Sequence, residues 1–235
     1  MNKAKQSGFT LVEIAIVLVI IGLLLGGILK GQELINSARV RNMADQNSAI
    51  QAAYFGFIDR YRQVPGDMCN QDAVDAIGQD INTTDTATCG NGRLDSGVLE
   101  EAAGVWEHLS KAGFMTGNYQ GLDGGNYQSP TAAPVNAFNG YVLLGRIENA
   151  AYQGDGSERL GYVFGQQTPV NIMRELDVKL DDGRPATGVL RMTLSDGNYS
   201  PMTDSDDANC IDTDADPDIW DINTNSQDCN GVYLY

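Results

Sequence analysis

Few side chains in this 235-residue sequence could do chemistry, and they are unevenly placed. There are four cysteines, Cys69, Cys89, Cys210 and Cys229, and a single histidine, His108. A run of aspartates stands at alternate positions, Asp212, Asp214, Asp216 and Asp218, with Asp221 close behind. Four thiolates could hold a metal, but no two of these cysteines form a Cys-x-x-Cys pair, so the tetrahedral site is disfavoured. Two disulfides are expected instead, with three connectivities open; the sequential pairing would close loops of about 20 residues, each worth roughly 3 kcal/mol. The aspartates offer oxygen ligands at the alternation a calcium loop uses, although no glycine stands at the sixth position and no glutamate at the twelfth of an EF-hand. The competing reading is a solvated acidic loop held by Cys210 and Cys229. Asn91 with Asp95 is a weaker cation candidate. His108 has no cysteine or serine partner nearby and reads as a surface or packing residue. No nucleophile elbow, phosphate loop or His-Glu-x-x-His motif is present, and enzymatic turnover is not expected.

A fifth candidate stands apart from these. Glu13 is the one charged side chain between Phe9 and Leu29, 21 residues that form about 31 Å of helix and so match a hydrocarbon core of roughly 30 Å. A carboxylate in a membrane-spanning helix is costly, and is expected where it finds a partner or serves a purpose. Ahead of it lies a short basic head whose only small pair, Ser7-Gly8, precedes the apolar run. A secretory signal has its cleavage site after that run, so cleavage here would leave the helix on the mature chain.

The leader ending in Gly8, followed by Phe9-Thr-Leu-Val-Glu13, closely resembles the start of the type IV prepilin family. That resemblance implies cleavage after Gly8 by a prepilin peptidase, methylation of the new amino terminus on Phe9, and pairing of Glu13 with the terminal amine of a neighbouring subunit. Several pseudopilins of this family bind calcium in carboxy-terminal loops, so the resemblance raises the case for the aspartate run as a site. Major pilins often carry a kinking proline in this helix, and none occurs between Phe9 and Val64; pseudopilins and minor pilins remain open. Less specifically, Tyr61-Arg-Gln-Val-Pro-Gly-Asp67, Cys89-Gly-Asn-Gly-Arg93, the stretch from Trp106 to Gly113 and Asp181-Asp-Gly-Arg-Pro-Ala-Thr-Gly188 resemble segments of bacterial prepilin-like proteins.

The elements that must position these residues follow from periodicity. The apolar run continues as a polar but helical stretch to about Arg62, where Pro65-Gly66 stops it. Leu34, Ala38, Ile50, Tyr54, Phe57, Ile58 and Tyr61 share one face, and the whole helix would be about 80 Å long. Gly22-x-x-x-Gly26 and Gly27-x-x-x-Gly31 permit close helix approach. A second helix is predicted from Val98 to Ala112, before Gly113, and a third after Thr168-Pro169, running to Leu180 before Gly183. Strands are predicted at Tyr141–Ile147, Leu160–Gly165, Val189–Leu194 and Val232–Tyr235. The expected class is α+β: residues 1–8 a leader, 9–64 a long helix with 9–29 transmembrane, and 65–235 an ectodomain with a small antiparallel sheet, which is also the pilin-like architecture the resemblance implies.

Charge limits the partners. The net charge is −16, and Lys3 and Lys5 leave with the leader, which makes it −18. No Lys or Arg follows Arg191, while ten Asp do. Nucleic acid is therefore an improbable partner. The expected role is a structural subunit, anchored in the inner membrane as a single-pass precursor and polymerised with other copies or related subunits by inner-membrane assembly machinery into a pilus or secretion pseudopilus. Alternatives are a minor or tip subunit, and a membrane-tethered module that binds calcium or another ligand without polymerising.

Overall fold

The structure is a computed structural model that describes residues 10–82, 89–122, 124–154, 156–195, 199 and 207–235. The chain divides into two units between Arg39 and Val40. Helix α1, Leu11–Tyr61, contributes to both. In the first unit its side chains are almost all exposed. In the second, Val40, Met43, Ala44, Asn47, Ile50, Ala53, Tyr54 and Phe57 are buried. Their spacings of three, four and seven residues draw one stripe along the helix. The predicted stripe began too early: Leu34 and Ala38 are exposed, because the core face opens only at Val40. The helix ends with Arg62 in the left-handed region, φ 58°, and Gly66 follows at φ 96°.

Within the second unit the fold is α+β. A four-stranded antiparallel sheet has the order β1 (Leu143–Ile147), β2 (Arg159–Val163), β6 (Gly231–Leu234), β3 (Leu190–Met192). The last strand of the chain thus lies in the interior of the sheet, which ties down the carboxy terminus. Leu143 pairs with Val163 and Val163 with Val232, so apolar side chains meet in register across three strands. Gly145 faces Gly161 in the first pair. A Cβ on Gly161 would stand 2.8 Å from both Ile147 Cγ1 and Val232 Cγ2, so only glycine lets the neighbouring side chains close over the strand.

Helix α1 packs on this sheet through residues 40–61. Tyr235 donates from its hydroxyl to Asn47 Oδ1 at 2.5 Å, and its ring meets Phe55 edge-on at 6.4 Å. Helix α3 (Leu99–Lys111) buries Ala102, Ala103, Val105, Trp106 and Leu109 in the same core. Trp106 donates to the Tyr127 hydroxyl at 2.7 Å, which donates in turn to the Val142 carbonyl at 2.9 Å, so the one polar atom of the indole is satisfied inside. Helix α4 (Val170–Leu180) lays Val170, Ile172, Met173 and Leu176 inward. Its amino cap is Pro169 rather than Thr168, and no side chain caps it. The predicted helices and strands match these elements to within two residues.

Five elements were not predicted: helix α2 (Asn70–Ile77), a 3-10 turn at Asn149–Ala151, the single-turn helix α5 (Asp207–Cys210), and the two strands of a hairpin, β4 (Ile211–Asp212) and β5 (Ile219–Trp220). All are short, α2 being the longest at 8 residues, and so brief a stretch does not fix a period from sequence.

Candidate functional site

In the first unit the described chain begins at Thr10, immediately ahead of α1. Gly8 and Phe9 lie outside the described residues. Glu13 sits in the first turn, where its Oε2 accepts from both the amide and the hydroxyl of Thr10, each at 2.8 Å. The Glu13 amide donates back to Thr10 Oγ1 at 3.3 Å. This reciprocal arrangement is a capping box, Thr-x-x-Glu, and it satisfies two of the donors that a helix start leaves open. Sequence reasoning missed it, although Thr10-Leu-Val-Glu13 is itself the signature. The acidic side chain also complements the positive end of the helix dipole.

Beyond this turn the helix presents bare hydrocarbon. Leu11 is 90% exposed and Leu23 is 74% exposed, and the apolar segment is long enough to cross a membrane. A Cβ placed on Gly22, Gly26, Gly27 or Gly31 would meet nothing within 4 Å, so the notches they leave are open to a neighbouring surface. Lys30 pairs with Glu33 at 2.7 Å on the surface, where the hydrocarbon gives way to charge.

In the second unit the thiols pair sequentially, Cys69 with Cys89 and Cys210 with Cys229. Asp67 braces the first bridge. It is 2% exposed, its Oδ1 accepts from the Asn91 amide at 3.1 Å and its Oδ2 from the Gly92 amide at 2.7 Å. Asn91 and Asp95 do come together, but as a hydrogen-bonded pair at 2.9 Å, with Asp95 also held by Arg93 at 3.0 Å.

His108 is fully buried rather than on the surface, so of the two expected roles it takes packing. Its Nδ1 accepts from the Gly66 amide at 2.8 Å, which makes the ring neutral with its proton on Nε2. Nε2 has no partner. Burial, chiefly, pushes the imidazole down to about 4; Glu107 works against the shift and Lys111 with it. The ring stacks on Phe57 at 6.3 Å and joins α3 to the loop that ends α1.

The aspartate run lies on the β4–β5 hairpin and its flanks. Asp212 Oδ1 accepts from the Asp214 amide at 3.0 Å, Asp218 Oδ2 from Gln153 Nε2 at 3.3 Å, and Asp221 Oδ1 from the Asn223 amide at 3.0 Å. Asp214 and Asp216 are exposed. Among the described residues, none of the five belongs to a group of three acidic side chains with oxygens within 4.8 Å of one another. Such a group does occur nearby, at Asp177, Asp181 and Asp182. Its oxygens serve the fold: Asp181 Oδ2 accepts from the amides of Val189 and Leu190, and Asp182 from the Arg184 amide and the Thr187 hydroxyl. Asp177 was overlooked in the sequence. It stands four residues after Met173 and seven after Val170, on the buried face of α4, and an acid in that register is the signal.

Residues 3–29 match the prokaryotic N-terminal methylation motif, the type IV prepilin-like signal. No curated protein and no solved structure matches the chain. The matched segment spans the basic head and the hydrocarbon-faced start of α1, including Glu13. That signal is the kind found on type IV prepilin-like precursors, and the helix it opens is apolar and long enough to cross a membrane.

Proposed function

We propose that this protein is a structural subunit of a type IV pilus-like filament or secretion pseudopilus. A prepilin peptidase cuts it after Gly8, Phe9 becomes the methylated amino terminus, and inner-membrane machinery draws the mature subunit into a polymer. The work of the protein is assembly rather than turnover. The observation that carries the reading is the exposed hydrocarbon of α1 with a single carboxylate, Glu13, at its start. Outside a membrane such a surface must be covered, and copies of the same helix, notched at Gly22, Gly26, Gly27 and Gly31, cover it by close packing. In that packed interior Glu13 is stable only when a cation faces it, and the terminal amine of a neighbour supplies one.

Glutamine separates the two duties of Glu13, because it completes a capping box but carries no charge. With Glu13→Gln, membrane insertion is expected to match wild type while incorporation into sheared filaments or into an induced pseudopilus falls by about tenfold or more. Mass spectrometry of the polymer should find a chain beginning at methylated Phe9. Full incorporation of Glu13→Gln, or a mature chain beginning ahead of Phe9, would overturn the proposal.

A further inference from the structure

The acidic hairpin β4–β5 meets helix α4 through a buried side chain. Trp220, 2% exposed, donates its indole proton to Asp177 Oδ2 at 2.7 Å across the contact between β5 and α4. Asp177 is itself fully buried, and its Oδ1 accepts from the Gly183 amide at 3.2 Å. No ion pair among the described residues includes it.

The charges around Asp177 do not compensate it. Asp181 and Asp182, on the turn after α4, bring two further carboxylates within 4.8 Å. On α4 itself Arg174, Glu175 and Lys179 are exposed to solvent. Arg184 on the following turn is exposed as well. On β3, Arg191 is turned to the Gly188 carbonyl and lies over the Tyr152 ring at 5.5 Å. The hairpin brings no cation: its charged residues are Asp212, Asp214, Asp216 and Asp218, with Asp221 next after Trp220. Three acids thus crowd one end of α4, and the innermost is the one that grips Trp220. Two donors on Asp177 favour its ionised form, but burial and the two neighbouring acids outweigh them and push its carboxyl up to about 7.

We propose that Asp177 is a proton-operated latch: uptake of one proton seats Trp220 and the disulfide-closed hairpin against α4, and loss of that proton loosens them. The step is a plain protonation from solvent, with no other reactant. The latch therefore holds in mildly acidic surroundings and slackens as the pH rises through neutrality, which would let the acidic end of the subunit sense the medium it faces.

The chain has two tryptophans, Trp106 and Trp220. The full-length protein, labelled with nitrogen-15 at tryptophan and held in detergent micelles, therefore gives two indole signals, and Trp220→Phe assigns them. The Trp220 signal is expected to move with a single midpoint in the neutral range between about pH 5 and pH 9. Asp177→Asn should abolish that movement. Asp182→Asn removes a like charge from an exposed position and should shift the midpoint to lower pH; it also serves where Asp177→Asn does not fold. A stationary Trp220 signal, the same titration in Asp177→Asn, or an unmoved midpoint in Asp182→Asn would overturn the latch.

Discussion

Glu13 and Thr10 hold each other: the carboxylate takes two hydrogen bonds from the threonine, and the threonine hydroxyl takes one from the glutamate amide. An acid that first looks stranded in hydrocarbon therefore has a local partner before any neighbour arrives. The capping box shapes the helix start and keeps the carboxylate beside Thr10, the residue that the proposed cleavage after Gly8 would make the second of the mature chain. The same side chain that caps the helix is the one proposed to pair with a neighbouring subunit.

Thr10→Ala removes the hydroxyl from both sides of this exchange and leaves only the amide bond to Glu13. Amide hydrogen exchange in the first turn of α1 should quicken, while the rest of the helix keeps its protection. Thr10→Ser retains the hydroxyl and should restore the wild-type rate. Equal exchange in Thr10→Ala and wild type would show that the box contributes nothing.

The two disulfides differ in access rather than in loop length. Their sequence separations are 20 and 19 residues, so chain entropy assigns each about 3 kcal/mol. Cys69 and Cys89 are partly exposed, whereas Cys210 and Cys229 are fully buried. A thiol reductant attacks a sulfur it can reach. Mild reduction without denaturant, followed by alkylation and peptide mapping, should label Cys69 and Cys89 while leaving the second pair intact. Simultaneous labelling of all four would contradict the burial.

Much of this architecture was legible from pattern alone. The helices at 99–111 and 170–180 and the four sheet strands carry periodicity over enough residues to declare themselves. What escaped was what depends on partners distant in sequence. Asn47 looks like a surface residue until Tyr235, from the other end of the chain, donates to it. Asp177 looks like one acid among many until Trp220 arrives 43 residues later. The start of the core stripe at Val40 was likewise hidden, since Leu34 is as apolar as the residues that do pack. Among the site residues, Glu13 and the cysteines were visible by type; the partner of Glu13, Thr10, lies in the same local signature and was overlooked, while the pairing of the cysteines is set by the fold.

Gly66 is the seat of the His108 ring. Its φ is 96°, and a Cβ there would fall 2.5 Å from the Glu101 carbonyl, 2.7 Å from Leu94 Cδ2 and 2.9 Å from Val105 Cγ2. Gly66→Ala should destabilise the second unit by on the order of 3 kcal/mol, through strain and overpacking together. Chemical denaturation would read this directly, and a loss under about 0.5 kcal/mol would refute the close packing.

Two buried groups give the stability of the second unit opposed responses to pH. The His108 imidazole is lowered from 6.5 to about 4 on folding, so between those values the unfolded chain binds more protons. Its contribution is present above the unfolded value and is lost as the pH falls towards 4. The Asp177 carboxyl is raised from 3.8 to about 7, so over that span the folded chain binds more protons. Its contribution runs the other way, full below the unfolded value and lost as the pH rises through 7. Because the windows overlap between about 4 and 6.5, the slopes offset one another, and the wild-type stability should be flatter across that range than either group alone would make it. Variants unmask the parts. Asp177→Asn should leave a stability that climbs with pH from about 4 to 6.5, and His108→Asn, whose amide oxygen can still accept from Gly66, should leave one that declines from about 4 to 7. Urea unfolding midpoints across the range check both signs, and parallel profiles for the two variants would show that neither titration is coupled to folding as the burial implies.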